Sequence, residues 1–156
     1  ALPRAFLVNQ AEIISDKNAL FSRMMESSFR PENVVLLERA PEKCSLPTPS
    51  AGFQGNARIL EHTATRCLLE TETNAPAVLV LADAYYPGWT ARLDGQPAEI
   101  LPAYYIFRAV VVPEGNHRVE FTYFPMSLRI GLAISAVGLV FGVFLAVTTR
   151  RRPSTT

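Results

Sequence analysis

Eighteen consecutive residues, Ile130 to Val147, carry no charge and a single hydroxyl, Ser135. With Leu128 and Thr148-Thr149 the stretch reaches a length that crosses roughly 30 Å of hydrocarbon at about 1.5 Å per helical residue. A helix apolar on every face needs lipid or a large protein around it, and only 127 residues precede this one. The expectation is a transmembrane helix over residues 128–149. Arg150, Arg151 and Arg152 follow at once, and basic residues collect on the cytoplasmic flank of a span. The other flank offers only Arg129, which can snorkel to the interface. Residues 150–156 are thus expected to be a basic cytoplasmic tail, and residues 1–127 an extracytoplasmic domain.

The chain opens Ala-Leu-Pro-Arg, without the basic region, apolar stretch and cleavage site that would carry such a domain across a membrane. The expectation is a C-terminal piece of a longer protein with upstream spans. Gly131, Ser135, Gly138 and Gly142 recur at spacings of four, three and four, which places small residues on one helix face and includes a Gly-xxx-Gly step. Such a face lets another backbone approach closely, so its expected partners are upstream helices of the same protein, alongside the lipid bilayer itself.

Residues 1–127 hold 11 Lys and Arg against 14 Asp and Glu, a net charge of −3, and the four remaining arginines follow. A mildly acidic exported domain argues against nucleic-acid binding. Cys44 and Cys67 are 23 residues apart and show no metal-ligand spacing. Outside the cytoplasm a disulfide between them is chemically permitted, and their pairing stays open. His62 and His117 stand apart from any cluster of metal-site spacing. No metal or cofactor is expected.

Short strands dominate the coarse pattern. Ala5 to Asn9 reads as a strand. Ser15 or Asp16 can cap a helix reaching about Ser27, with Leu20/Met24 and Phe21/Met25 as i,i+4 apolar pairs. Pro31 stops it, and Val34 to Glu38 reads as the next strand. Residues 40–55, with Pro41, Pro47, Pro49, Gly52 and Gly55, form a loop or subdomain joint. Ala57 to His62 and Arg66 to Thr73 read as antiparallel strands, with Cys67, Leu69 and Thr71 on one face. Ala77 to Ala82 is apolar throughout and so buried on both faces. Trp89, Ala91 and Leu93 alternate with Thr90 and Arg92 before Asp94-Gly95, a two-residue hairpin turn that returns through Gln96 to Ile100. Ile106 to Val112, the turn Pro113-Glu114-Gly115-Asn116, and His117 to Phe124 complete the set. Seven or so short strands with one early helix predict a mainly β, antiparallel sandwich-like domain followed by a single membrane helix.

The segments Tyr85 to Gly95, Phe107-Arg108-Ala109-Val110, Val112-Pro113-Glu114-Gly115-Asn116-His117 and Tyr123-Phe124-Pro125 resemble the C-terminal end of the bacterial YfhO-like membrane proteins. Leu2-Pro3-Arg4-Ala5-Phe6-Leu7-Val8 and Phe29 to Glu38 are similar to that family as well. The resemblance implies a polytopic membrane protein related to glycosyltransferases that use lipid-linked sugars, acting on cell-envelope polymers. In such transferases the catalytic carboxylate lies in a loop near the start of the membrane portion, so no catalytic residue is carried over to this chain. A lipid-linked sugar or an envelope glycopolymer is the partner that the resemblance implies.

A glycosidase needs two carboxylates about one sugar bond, and Asp83, Asp94, Glu99 and Glu114 are available. Asp94 and Glu114 are accounted for by turns and Glu99 by an exposed strand position. Asp83 closes a buried strand, where bonding to backbone is expected. His117 begins a strand and is expected to hold a backbone carbonyl. Among the aromatics, Trp89 takes an inward position, whereas Tyr85, Tyr86 and Tyr104 flank turns and are the candidate ligand-binding residues, able to stack on sugar rings or lie at headgroup level. The expected function is a noncatalytic extracytoplasmic domain with the last membrane helix of an envelope-glycosylation protein. The alternative is a membrane-anchored carbohydrate-binding or adhesion module.

Overall fold

The computed structural model describes residues 3–125, 130–131 and 134–142. Ala1–Tyr123 form one compact unit and Phe124–Thr156 a second.

The first unit holds two sheets. Strands β1 (Ala5–Val8), β2 (Ala11–Ile13) and β3 (Val35–Leu37) bracket helix α1 (Lys17–Met24). Then follow β4 (Gly55–His62), β5 (Arg66–Thr73), β6 (Ala77–Ala84), β7 (Trp89–Leu93), β8 (Gln96–Ala98), β9 (Leu101–Ala103), β10 (Phe107–Val112) and β11 (Gly115–Tyr123). Sheet A runs β1-β6-β10-β9-β3-β2 and sheet B runs β4-β5-β11-β7-β8. Every pairing is antiparallel except β2 with β3, which the intervening helix makes parallel.

Alternation along the strands builds two cores. Leu79 and Leu81 of β6 meet Leu69, Val119 and Phe121 of sheet B between the sheets. Val78 and Val80 of the same strand point the other way, into a second core that they share with Leu36 and Leu101 of the same sheet and with Leu20 of α1. Sheet A is therefore covered on both faces, which is why β6 is apolar without a break. The helix is shorter than expected. Asp16 caps it, its Oδ1 accepting the Ala19 N–H at 2.8 Å, and it ends at Met24. Leu20 is buried, but Phe21 and Met25 are 60% and 70% exposed, so that pair faces solvent and not the core.

The stretch 39–54 forms no strand or helix and lies within the compact unit. Glu99 ties it down. Its carboxylate takes the Arg39 guanidinium and the N–H groups of Glu42 and Lys43. Glu99 is thus an anchor between β8 and β9 and not an exposed strand residue, because the chain leaves sheet B at Ala98 and enters sheet A at Leu101. Cys44 is exposed, Cys67 is buried between the sheets, and both are free thiols.

In the second unit, residues 130–131 and 134–142 are helical. Among the described residues, no helix is long and apolar enough to cross a membrane. The remainder of the expected span, and the arginines at 150–152, lie outside the described residues.

Candidate functional site

Strands β4, β6, β7 and β11 bring one end of the sandwich together, and Asp83 stands at its centre. It continues the inner row of Leu79 and Leu81, so its carboxylate enters the gap between the sheets. Oδ1 accepts Arg4 Nε and Nη2 at 2.9 and 2.7 Å, and Oδ2 accepts His62 Nε2 at 3.0 Å and Arg108 Nη2 at 3.1 Å. A carboxylate is an acceptor only, so His62 carries its proton on Nε2 in this contact. Burial pushes the Asp83 carboxyl up, but the bonds from His62 and Arg4 and the charge of Arg108 outweigh it and hold the group below its ordinary value. The expectation of a backbone bond at the strand end is corrected: its partners are side chains from β4, β10 and the residue before β1.

Arg108 is 2% exposed. Its guanidinium lies 3.7 Å over the Trp89 ring, a cation–π contact of the kind that gains strength when desolvated. Nε and Nη1 have no partner among the described residues. Desolvation makes its charged form costlier and Asp83 opposes that. Trp89 is half-buried and packs beside Tyr123 at 5.2 Å. A one-sided register irregularity between Phe107 and Arg108 in the β6–β10 ladder accompanies this arrangement, as bulges do where a side chain is re-aimed. The cluster is an electrostatic clasp across the sheets. With both oxygens engaged by cations and N–H donors, Asp83 is occupied as an ion-pair partner and not poised as an acid or nucleophile.

Around this clasp runs an aromatic rim. Tyr85 and Tyr86 are 39% and 62% exposed in the β6–β7 loop, and the Tyr85 N–H donates to Ile106 O at 2.7 Å. Tyr105 and Ile106 are each 52% exposed in the β9–β10 loop. Tyr104 differs. It is buried, its hydroxyl is shared between Pro31 O at 2.9 Å and Val34 O at 2.8 Å, and burial pushes its phenol well up. Its ring meets Phe29 and Phe107 edge-on. Tyr104 thus pins the segment after α1, while Tyr85 and Tyr86 remain available at the surface.

The opposite end is polar. His117 Nδ1 bonds Asp94 Oδ2 at 2.6 Å, its Nε2 bonds Glu114 O at 3.1 Å, and both acceptors call for a protonated ring. The Asp94 bond raises the His117 pKa, and the Arg118 N–H, then His117, lower that of Asp94. The backbone carbonyl expected for His117 is therefore present, with a carboxylate added. Beside it a shallow concavity of about 500 Å³ is lined by Arg58, Glu70, Glu72, Asp94, His117 and Arg118. Arg58 and Arg118 both bind Glu70, so these charges satisfy one another. Among the described residues no group of three metal-ligating side chains converges.

Gly131, Ser135, Gly138 and Gly142 fall on the described helical residues of the second unit. A Cβ added at any of the three glycines would meet nothing within 4 Å.

The family described as bacterial membrane protein YfhO matches over residues 54–135, just over half of the chain. The chain belongs to the YfhO family of bacterial membrane proteins. A YfhO protein of Bacillus subtilis (strain 168) is 32% identical over 66 residues, which are 42% of this chain and 8% of that protein. The chain therefore corresponds to a small part of that relative. No solved structure matches it.

The family match begins just before β4 and takes in the clasp partners His62, Asp83 and Arg108 and the rim residues Tyr85, Tyr86, Tyr105 and Ile106. Arg4 lies outside it. Sequence reasoning missed Arg4, His62 and Arg108 as partners of Asp83. A signal was present: Arg108 is two residues from the inward Val110 and Asp83 two from the inward Leu81, so opposite charges sit on two inner rows. That β6 and β10 are neighbours only the topology tells.

Proposed function

We propose that residues 1–127 are an extracytoplasmic β domain without a catalytic residue of its own, and residues 128–149 a membrane helix of a polytopic protein that glycosylates envelope polymers. Residues 150–156 are its cytoplasmic tail. The domain shapes or covers the acceptor side of an active site built by upstream membrane helices, which also receive the Gly131, Ser135, Gly138 and Gly142 face.

One observation carries this reading. The family match passes without interruption from the sheet, which ends at Tyr123, into the uncharged run, as far as residue 135. The family's shared unit thus joins the β domain to the apolar segment. Ile134, Val137, Leu139, Val140 and Phe141 are each more than 60% exposed on the described helix, as suits a helix solvated by lipid. The engagement of Asp83 by three cationic or N–H-donating side chains supports a domain that positions and does not cleave.

Sugar transfer in membranes holding the full-length protein tests the role, comparing wild type with a deletion of residues 1–124 that inserts equally well. Transfer is expected to fail or shift to another acceptor. Unchanged transfer would sink the role and favour a binding or assembly module. Topology is read separately with a membrane-impermeant maleimide, since Cys44 is exposed and Cys67 buried. Cys44 is expected to label in intact cells.

A further inference from the structure

We infer that the aromatic end of the sandwich is a lipid-docking surface, seated in the headgroup layer of the bilayer. The inference rests on the membrane-span reading above and adds to it a surface of the β domain.

Five large apolar or aromatic side chains from three separate segments meet water here. Phe21 of α1 is 60% exposed, Tyr85 and Tyr86 of the β6–β7 loop 39% and 62%, and Tyr105 and Ile106 of the β9–β10 loop 52% each. They form a continuous surface. The Tyr85 N–H is bonded to Ile106 O, while Phe21, Tyr105 and Ile106 line one groove of about 550 Å³ with Lys17. Contiguous exposed apolar surface of this kind marks an interaction site.

The β9–β10 loop is built to present its rings. Tyr104 and Tyr105 have φ of 47° and 72°, a left-handed conformation that bulky residues rarely adopt. The two carbonyls that receive the Tyr104 hydroxyl hold it there, and Tyr105 is turned outward with the Lys17 ammonium 5.2 Å over its ring. A tyrosine beside a lysine, each with an apolar body and a polar tip, suits the layer between hydrocarbon and water.

Chain connectivity selects lipid as the occupant. Tyr123 pairs with Trp89, and its N–H donates to Thr65 O at 2.8 Å, so the last strand leaves the sheet at the aromatic end. The uncharged run starts at Ile130, and seven steps of chain reach at most about 25 Å. With that run as the proposed span, no more than this length of chain separates Tyr123 from hydrocarbon. The other end, with Arg58, Glu70, Glu72, Asp94 and His117, is charged, and among the described residues it carries no comparable exposed aromatic rim.

Spin labels test the inference in the protein reconstituted into nanodiscs of phosphatidylcholine and phosphatidylglycerol. They are placed singly by Tyr86→Cys, Ile106→Cys, Gln96→Cys and Val137→Cys in a Cys44→Ser background, the buried Cys67 being retained. At 86 and 106 oxygen access is expected to rise and nickel-chelate access to fall about two-fold relative to 96, as for side chains within about 10 Å of the headgroup–acyl boundary. Readings at 86 and 106 equal to those at 96 overturn the docking surface, and so does loss of access to both reagents, which would mean that protein covers it. Hydrocarbon access at 137 in the same sample means the span survives such a result. Aqueous access at 137 overturns the span and the docking surface with it.

Discussion

Asp83 and Arg4 form an ion pair, yet the two residues differ in what their loss would do. Asp83 neutralises Arg108, whose side chain is 2% exposed, whereas Arg4 is 53% exposed. Removing one partner of a buried pair leaves an uncompensated charge. Asp83→Asn is therefore expected to destabilise the domain by about 3–5 kcal/mol, and Arg4→Ala by no more than about 1 kcal/mol. Urea unfolding followed by Trp89, the single Trp of the chain, measures both. At the other end, His117 has a pKa raised above 6.5 by its bond to Asp94. Its contribution to stability is fully present below the unfolded value near 6.5 and is lost as pH rises through the higher folded value. Asp94→Asn keeps an acceptor for the Arg118 N–H but removes the charge, and is expected to flatten that loss. Unfolding midpoints at several pH values between 6 and 9 decide it.

At the scale of elements, α1 and the β7–β8 hairpin depend on single local devices. The helix is only 8 residues long, so its cap weighs heavily: Asp16→Ala is expected to cost about 1 kcal/mol, seen as faster amide exchange from Ala19 through Met24. Asp94 and Gly95 take φ of 50° and 81°, as a two-residue turn requires. Gly55 is constrained differently. A Cβ there would sit 2.8 Å from Phe53 Cζ and 3.0 Å from Leu7, where β4 passes close to β1. Gly55→Ala is expected to cost about 1–3 kcal/mol as overpacking, measured by the same urea titration. Such devices read easily from sequence when they are local. Asp94-Gly95 and the Asp16 cap are of that kind, while the part of the Gly55 constraint set by Leu7 comes from a strand 48 positions away and gives no local sign.

For the whole molecule the consequential feature is chemical asymmetry between the ends of one sandwich, aromatic where the chain leaves the sheet and charged where it does not. Helix association belongs to this scale too. On the proposed reading, Gly138→Leu is expected to weaken packing against neighbouring membrane helices, since GxxxG faces associate by close backbone approach. Reduced crosslinking between the helix that carries Gly138 and the rest of the protein, at unchanged expression, is the outcome to look for, and undiminished crosslinking would assign the small-residue face no packing role.

Much of this protein is legible from its sequence because the relevant forces act between near neighbours. The mainly β class, the run of β6, the hairpin at Asp94-Gly95, the helix cap and the apolar run are properties of period, turn chemistry and length. They need no partner strand to be known. The family resemblance is likewise carried by residues in chain order. Tertiary structure alone decided that Asp83 meets Arg4, His62 and Arg108, that Glu99 anchors the proline-rich segment, and that Tyr104 is buried while Tyr85 and Tyr86 are not. Each of these depends on which strands lie side by side. Contacts separated by 21 to 79 residues around Asp83 are set by the packing of two sheets, and alternation along one strand gives a side chain's face but not its partner.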